Sequence, residues 1–296
     1  YKLYDEKFVR TDFDIDYHFV NPRVGLNINL TDRWNVYGNI AYTSREPRLN
    51  NLYDATFSWT GEVPQFQRTS AGYSFDEPLV NPEKLLDFEL GAGYSSPVYR
   101  LSANLYWMSF RDEIVTSGQL DLFGQPITGN ADRTRHVGLE LSGTALLAEG
   151  LTLQANATLS KNTITRHTTY AVTFPADAPV IIPVVLDGNT IGGFPDVLAN
   201  ARLTYDRGGW FASLSLRHVG EQFTDNFENP NRNVDAYTVF NFIVGIRLND
   251  IGEFNGLEVR LQVNNLFDAL YAAHGVGDEF FPAAERNVFA SLKVEL

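Results

Sequence analysis

The feature that most restricts the fold of this chain is a regular alternation of apolar and polar residues. Residues 257–264 place an apolar side chain at every second position, and residues 288–296 repeat the pattern at the end of the chain. A period of two puts successive side chains on opposite faces of an extended strand. The pattern therefore predicts strands with one apolar and one polar face, and leaves open whether the apolar face contacts a protein core or lipid.

The same alternation continues along the chain and predicts about eleven strands in one all-β unit that occupies residues 1–296. No Pro-rich or Ser-rich linker divides this unit. The further strands are expected at residues 24–30, 34–42, 86–94, 99–107, 137–145, 151–159, 197–205, 210–216 and 240–248. Their lengths are close to the roughly nine to eleven residues that a tilted strand needs to cross a bilayer.

The connections alternate between short and long, and this order helps to identify what the apolar face contacts. Short connections are predicted at 31–33, 95–98, 147–150, 206–209 and 249–255. Long extracellular loops are predicted at 46–84, 115–134, 164–192, 220–235 and 270–286. This order is typical of an antiparallel up-and-down transmembrane β-barrel, whereas a soluble sandwich gives no reason for it. Small residues on the apolar faces and aromatic residues at strand ends also favour lipid.

Composition and missing motifs exclude several classes of function. The formal net charge of -13 at pH 7 argues against nucleic acid as a partner, because a polyanion needs a basic surface. The chain has no Cys, which excludes disulfides and thiolate metal sites. It also lacks the G-x-S-x-G, H-E-x-x-H and P-loop motifs. We therefore expect no enzyme activity, no cofactor and no bound metal.

Charged residues lie on the polar face of the predicted strands, and two interpretations of them remain open. Either they contact a plug or a solute inside a wide barrel, or they form an inner wall that is simply solvated. The candidates for the lumen are Glu89, Arg100, Glu140, Arg202, Arg217, Arg247 and Arg260.

The long loops contain the candidate solute contacts. An aromatic face combined with a cation suits a sugar or an anionic chelate, but the same rings can also pack the loop onto itself. The candidates are Tyr53, Trp59, Phe66, Arg68, Tyr73 and Phe75 in loop 46–84, and His167 in loop 164–192. His167 and His274 fall in loops on the same predicted side, where they either ligate haem iron or are simply solvated.

Two further loop segments allow more than one interpretation. The apolar run at 180–185 is either a loop hairpin or a docking surface for a partner. Residues 220–235 are rich in Asn and Asp, which predicts a hydrated rim or a weak calcium site. No D-x-D-x-D-G spacing supports calcium, so no calcium site is assigned.

Four segments resemble, in the same order, motifs from the C-terminal barrel region of TonB-dependent outer-membrane receptors. They are SREPR at 44–48 with NLYD at 51–54, NPEK at 81–84 with DFELG at 87–91, HVGLEL at 136–141, and NNLFDALY at 264–271. Each motif alone is weak, but their shared order over residues 44–271 makes the resemblance fairly specific.

The resemblance implies that the chain is about 11–12 strands of an outer-membrane β-barrel of about 22 strands. It implies that a plug domain and the first strands lie upstream of Tyr1, outside this sequence. Receptors of this family import a scarce solute, such as an iron-siderophore, haem, cobalamin or a glycan, with energy from the TonB complex. The expected partners are outer-membrane lipid, the TonB complex through the plug, and a metal chelate or glycan. The expected location is the bacterial cell outer membrane.

A second hypothesis follows from the length of the chain. A complete passive channel or adhesin barrel of about twelve strands would need about this many residues. The order of the receptor-like motifs speaks against it.

Overall fold

The structure is a computed structural model that describes residues 14–53, 64–70, 72–121, 124–173, 179–251 and 254–295. Within these residues the chain is almost entirely β, with one short 3-10 helix at Leu49–Leu52. The strands are β1 (Arg23–Asn29), β2 (Trp34–Arg45), β3 (Phe66–Thr69), β4 (Gly72–Pro78), β5 (Glu83–Ser95), β6 (Tyr99–Leu120), β7 (Pro126–Ala148), β8 (Leu151–Arg166), β9 (Thr168–Thr173), β10 (Val180–Val185), β11 (Val197–Arg207), β12 (Trp210–Val219), β13 (Gln222–Phe223), β14 (Asn233–Val234), β15 (Tyr237–Ile251), β16 (Phe254–Asn264), β17 (Ala272–Val276), β18 (Glu279–Pro282) and β19 (Asn287–Glu295).

Eleven of these strands form one antiparallel sheet in the order β1-β2-β5-β6-β7-β8-β11-β12-β15-β16-β19. Because each sheet strand pairs with the next one along the chain, the topology is up-and-down, and the predicted fold class is confirmed. β1 and β19 lie at the two edges, so the sheet does not close into a barrel within the described residues. In this part of the chain, no helix is both long enough and apolar enough to cross a membrane.

Strand register gathers apolar side chains on one face of the sheet. In one row, Leu90 lies opposite Leu105, and Leu105 lies opposite Leu139. The exposed fraction is 62% for Leu90 and 54% for Leu105. Because so much of each side chain is open, no protein core covers this row in the described structure. This is the arrangement expected of a face that contacts lipid.

Glycines on the polar face make room for tyrosine rings from neighbouring strands. Gly91 lies opposite Tyr37, and a Cβ added to Gly91 would lie 2.2 Å from Cζ of that ring. A Cβ added to Gly138 would lie 2.5 Å from the hydroxyl oxygen of Tyr106, which is its cross-strand partner. Any larger residue at either position would displace a ring.

Aromatic pairs border the apolar face at both ends of the strands. At the short-turn end, Trp34 lies opposite Tyr94, with ring centroids 4.9 Å apart. Towards the loop end, Phe88 lies opposite Trp107, with centroids 5.5 Å apart. These pairs occupy the places expected for two interfacial girdles.

The long connections contain more regular structure than the sequence pattern predicts. The prediction of a loop at 115–134 is wrong for most of its length, because β6 continues to Leu120 and β7 begins at Pro126. A paired strand outside lipid needs no apolar face, so the alternation is lost there although backbone pairing continues. The other long connections contain the hairpins β3–β4, β9–β10, β13–β14 and β17–β18. The run at 180–185 forms β10, which confirms the hairpin interpretation.

The two buried hydrophobic cores lie on the loop side of the molecule, and the second includes Ile164 near the loop end of β8. The first core contains Leu52, Tyr53, Phe66 and Val80. The second contains Ile164, Leu186 and Ile191. These cores stabilise the loop side of the molecule, whereas the apolar face of the sheet stays open.

Candidate functional site

Two of the predicted solute contacts, Tyr53 and Phe66, lie in the first loop core. Their exposed fractions are 4% and 1%, and they pack with Leu52 and Val80. The rings therefore pack the loop onto itself, which is the alternative that the sequence left open. Neither ring presents an open face to a solute in this structure. Trp59, which was predicted with them, lies outside the described residues.

Arg68, Tyr73 and Phe75 lie at the margin of the same core. The Phe75 ring meets Phe66 edge-on with centroids 5.1 Å apart, and Tyr73 tilts against Phe75 at 5.9 Å. The guanidinium carbon of Arg68, an exposed residue, is 5.7 Å from the centroid of the Tyr73 ring. The structure thus places a cation beside an aromatic face at an open surface, and their contact with a solute stays a prediction.

His167 lies immediately before the β9–β10 hairpin. Its Nδ1 is 3.8 Å from Oδ1 of Asp132, and its backbone N–H donates to Oδ1 of Asp187 at 2.8 Å. His274 lies in β17, where its ring stacks on Phe281 with centroids 5.7 Å apart. Among the described residues, no group of three or more His, Cys, Asp or Glu side chains is placed to hold a metal ion.

The charged residues predicted for the lumen all lie on the polar face of the sheet. Each has a polar cross-strand neighbour on that face. The residues are Glu89, Arg100, Glu140, Arg202, Arg217, Arg247 and Arg260.

Two of these residues, Glu89 and Glu140, are each held by an amide from a neighbouring strand. Asn39 donates from Nδ2 to Oε2 of Glu89 at 3.3 Å. Asn104 donates from Nδ2 to Oε2 of Glu140 at 3.2 Å. Both carboxylates are therefore oriented by the sheet itself.

Arg247 is neutralised by acidic residues near the short turns. Its Nη1 donates to Oδ2 of Asp206 at 2.8 Å, and its Nε donates to Oε2 of Glu258 at 3.0 Å. Its guanidinium carbon also lies 4.2 Å from the centroid of the Phe211 ring. With its charge paired twice, Arg247 is a weaker candidate for solute contact than its position on the polar face suggests.

A buried polar cluster near the loop end of the polar face was not predicted. His136 places Nε2 3.0 Å from Oε2 of Glu113 and Nδ1 2.7 Å from Oδ1 of Asn162. Thr134 donates a hydrogen bond to the same Glu113 carboxylate. Sequence reasoning missed the cluster because Glu113 lies in the part of β6 that the alternation does not reveal. The one available signal was the polar-face position of His136 within HVGLEL.

This cluster forms one wall of a pocket of about 440 Å³ on the polar face. The rings of Phe110 and Phe194 each lie 5.3 Å from the His136 ring, between centroids. Glu89 and Glu140 also line the pocket. The pocket combines aromatic surface with acidic hydrogen-bond acceptors, which suits recognition of a bound group rather than covalent chemistry.

Comparison with known proteins places these features in a family. The family model described as TonB dependent receptor-like, beta-barrel matches residues 2–266. The siderophore receptor PiuA from Acinetobacter baumannii is similar in fold, with 15% identity, a TM-score of 0.66, and coverage of 93% of this chain and 35% of PiuA. The closed form of the ferric-catecholate import receptor Fiu from E. coli K12 has 20% identity and a TM-score of 0.63, with 91% and 34% covered. The copper transporter OprC has 20% identity and a TM-score of 0.65, with coverage of 91% of this chain and 37% of OprC.

The chain spans only a little more than a third of the length of these solved structures. At such identities the likeness to them shows the fold alone. The family model, in contrast, covers most of the chain, including all four receptor-like motifs except the end of the last one. The chain therefore belongs to the TonB-dependent receptor-like β-barrel family.

Proposed function

We propose that this chain is part of a bacterial outer-membrane receptor that imports an iron-siderophore or a related metal chelate by TonB-dependent transport. The observation that carries the proposal is the two-faced sheet. Its open apolar face suits lipid, and its charged polar face suits a lumen. Members of the matched family are transporters rather than enzymes. The match favours import over a passive channel or an adhesin.

The polar face supports a role in holding a plug domain. Glu89 and Glu140 are each oriented by an amide from the next strand. A carboxylate that is already oriented forms a charge-assisted hydrogen bond to Arg or Lys with less loss of side-chain freedom. We therefore assign these two residues to contact with basic side chains of the plug, through which the TonB complex would act.

The loop side supports an anionic chelate with flat, aromatic groups as the solute. Arg68 supplies a positive charge next to the Tyr73 ring, and both charge and ring attract such a ligand. PiuA and Fiu are a siderophore receptor and a ferric-catecholate receptor, whereas OprC is a copper transporter. Fold alone thus does not select the metal, and haem, cobalamin and glycans are the other solute classes that a test must compare.

Uptake of radioactive iron by intact cells tests the proposal. The gene for the complete protein is deleted, and uptake is measured with iron bound to a catecholate, to citrate and to haem. We expect the deletion strain to lose uptake of one chelate. A strain without functional TonB should lose uptake of the same chelate to the same extent. Unchanged uptake of every iron source, or uptake that persists without TonB, would contradict the proposal.

An Arg68→Ala variant tests the loop assignment separately. Loss of a cation beside an aromatic ring should raise the half-saturating chelate concentration about two- to fivefold. Arg33→Ala is the matched control, because Arg33 is an exposed arginine in the short turn between β1 and β2. Equal effects of the two variants on the half-saturating concentration would show that Arg68 does not contact the solute.

A further inference from the structure

Residues 224–226, in a segment expected to be a hydrated rim, are buried instead. The exposed fraction is 3% for Thr224, 1% for Asp225 and 5% for Asn226. Three consecutive buried polar side chains in a loop need hydrogen-bond partners, because an unpaired buried polar group is costly. Those partners come from β6, from the segment before β11, from the β17–β18 hairpin and, for Asp225, from Arg232 in the same loop.

Asn226 joins the end of β6 to the segment that precedes β11. Its Nδ2 donates to the backbone oxygen of Thr116 at 2.7 Å, and its Oδ1 accepts the backbone N–H of Gly192 at 2.8 Å. Its backbone oxygen accepts a hydrogen bond from Nδ2 of Asn189 at 2.9 Å. One residue thus binds two segments that are far apart from it and from each other in sequence.

Thr224 and Asp225 add the β17–β18 hairpin to the same assembly. Thr224 donates from Oγ1 to the backbone oxygen of Gly277 at 2.6 Å and accepts the Gly277 N–H at 2.9 Å. Arg232 donates to Asp225 at 3.2 Å and to Asp278 at 2.5 Å. The hydrogen bond to Asp278 and, to a smaller extent, the one to Asp225 raise the pKa of the Arg232 guanidinium above its usual value.

Close backbone packing requires small residues around Asp225. A Cβ added to Gly192 would lie 2.8 Å from the backbone oxygen of Asp225. A Cβ added to Gly118 in β6 would lie 2.4 Å from Cβ of Asp225. The loop segments therefore meet at a contact with no room for a side chain at either glycine.

The segment held by Asn226 leads directly to the roof of the polar-face pocket. Phe194 lies two residues after Gly192, and its ring packs at a tilt against His136. The backbone oxygen of Pro195, the next residue, accepts a hydrogen bond from Oγ of Ser160 at 3.4 Å. Both Phe194 and Pro195 line the pocket with His136. The contacts at Asn226 thus hold the start of this roof at Gly192, whereas Asn189 and Ile191 are also bound to β8 through backbone hydrogen bonds.

We propose that residues 224–226 form a latch that holds residues 192–195 as a lid over the pocket of Glu113, His136 and Asn162. Breaking the Asn226 contacts releases the lid and opens the pocket towards the loop side. The proposal relies on the proposed function only in placing this pocket along the solute path. The latch itself is tested without transport.

Thiol labelling of the complete protein in intact cells tests the latch. The chain has no Cys, so Thr158→Cys, a pocket position, introduces its single thiol, and any cysteine elsewhere in the protein is replaced. The rate of reaction with a small, membrane-impermeant maleimide is measured with and without Asn226→Ala. Losing a buried hydrogen-bonding side chain should raise this rate at least about fivefold.

Two controls separate latch release from general loosening. Asn229→Ala removes only a local hydrogen bond to the Asn231 N–H in the same loop, and should leave the rate unchanged. Gly192→Ala pushes the lid off Asp225 and should raise the rate like Asn226→Ala. Gly129→Ala, where a Cβ meets nothing within 4 Å, should not.

Equal rates in the Asn226→Ala protein and its parent would overturn the latch, and so would acceleration by both glycine variants. If Asn226→Ala fails to reach the outer membrane, the pair Gly192→Ala and Gly129→Ala decides alone. Labelling does not require import, so a cell that takes up none of the tested chelates still reports on the latch.

Discussion

The sheet exposes large apolar side chains such as Leu105, whereas the loop side buries polar side chains such as Asp225 and Asn226. The first arrangement is stable only where something apolar covers the sheet. The second is stable only where every buried polar group has a partner. The molecule thus follows the rules of a lipid environment in one region and those of a water-soluble domain in the other.

This difference shows where each region obtains its stability. The sheet strands are held by continuous backbone pairing and by burial of their apolar face in lipid. The loops are held by two small hydrophobic cores and by the latch. A substitution on the loop side should therefore change the stability of its own loop core only. The effect of a substitution in the sheet should depend on whether the residue lies on the apolar or the polar face.

The largest expected effect is Phe66→Ala in the first loop core. Truncation of a buried Phe costs about 3–5 kcal/mol, and that cost falls on the core around Leu52 and Val80. Hydrogen exchange should become faster in β3 and β4, while amides of the sheet keep their protection. Phe280→Ala, at a loop residue that is 43% exposed, is the control and should change little. Simultaneous loss of protection in the sheet would show that the two regions are not separate.

A charge on the apolar face should have the next largest effect. Leu105→Arg should lower the free energy of unfolding from a bilayer by about 2–4 kcal/mol, the cost of Arg near the lipid midplane. Asn104→Arg is the matched control, because Asn104 is the adjacent residue on the polar face, opposite Glu140. Denaturant unfolding of the complete protein from lipid vesicles measures both. Equal losses at the two positions would contradict the assignment of the faces.

The smallest expected effect is at a short turn. Gly208 and Gly209 join β11 to β12 with φ of 63° and 82°, as a type I′ turn requires. Gly209→Ala should lower the free energy of unfolding by about 1–2 kcal/mol, because an L-residue is strained at positive φ. A Cβ there would also lie 2.5 Å from the backbone oxygen of Arg247. In the same denaturant assay, Gly129→Ala should leave the free energy of unfolding unchanged. An equal decrease for Gly129→Ala would show that positive φ at the turn is not the cause.

The sheet was predictable from sequence because lipid on one side imposes a period of two on every strand. Leu257, Val259 and Leu261 show that period, and the structure confirms the strands that it predicts. The continuation of β6 and β7 was not predictable in this way, because strands outside lipid pair without an apolar face. Motifs such as HVGLEL added the family, which periodicity alone does not contain.

The candidate site was less predictable, because its contacts join residues that the sequence separates widely. Asn226 forms a hydrogen bond to Thr116, and Glu113 in β6 forms one to His136 in β7. No local pattern marks such pairs before the register is known. The sequence indicated Phe66 and Arg68 as candidate solute contacts. It did not show that Phe66 lies in a loop core whereas Arg68 lies at the surface.

Site-directed spin labelling along β6 tests the central claim most directly. Labels are placed one at a time from Arg100 to Trp107 in the complete protein in lipid vesicles, and relaxation by oxygen and by a water-soluble nickel chelate is measured. Labels at Leu101 and Leu105 should be relaxed by oxygen, and labels at Ser102 and Asn104 by the nickel chelate. An alternation with a period of two would support one face in lipid and one in water. The absence of alternation, or nickel access at Leu105, would contradict it.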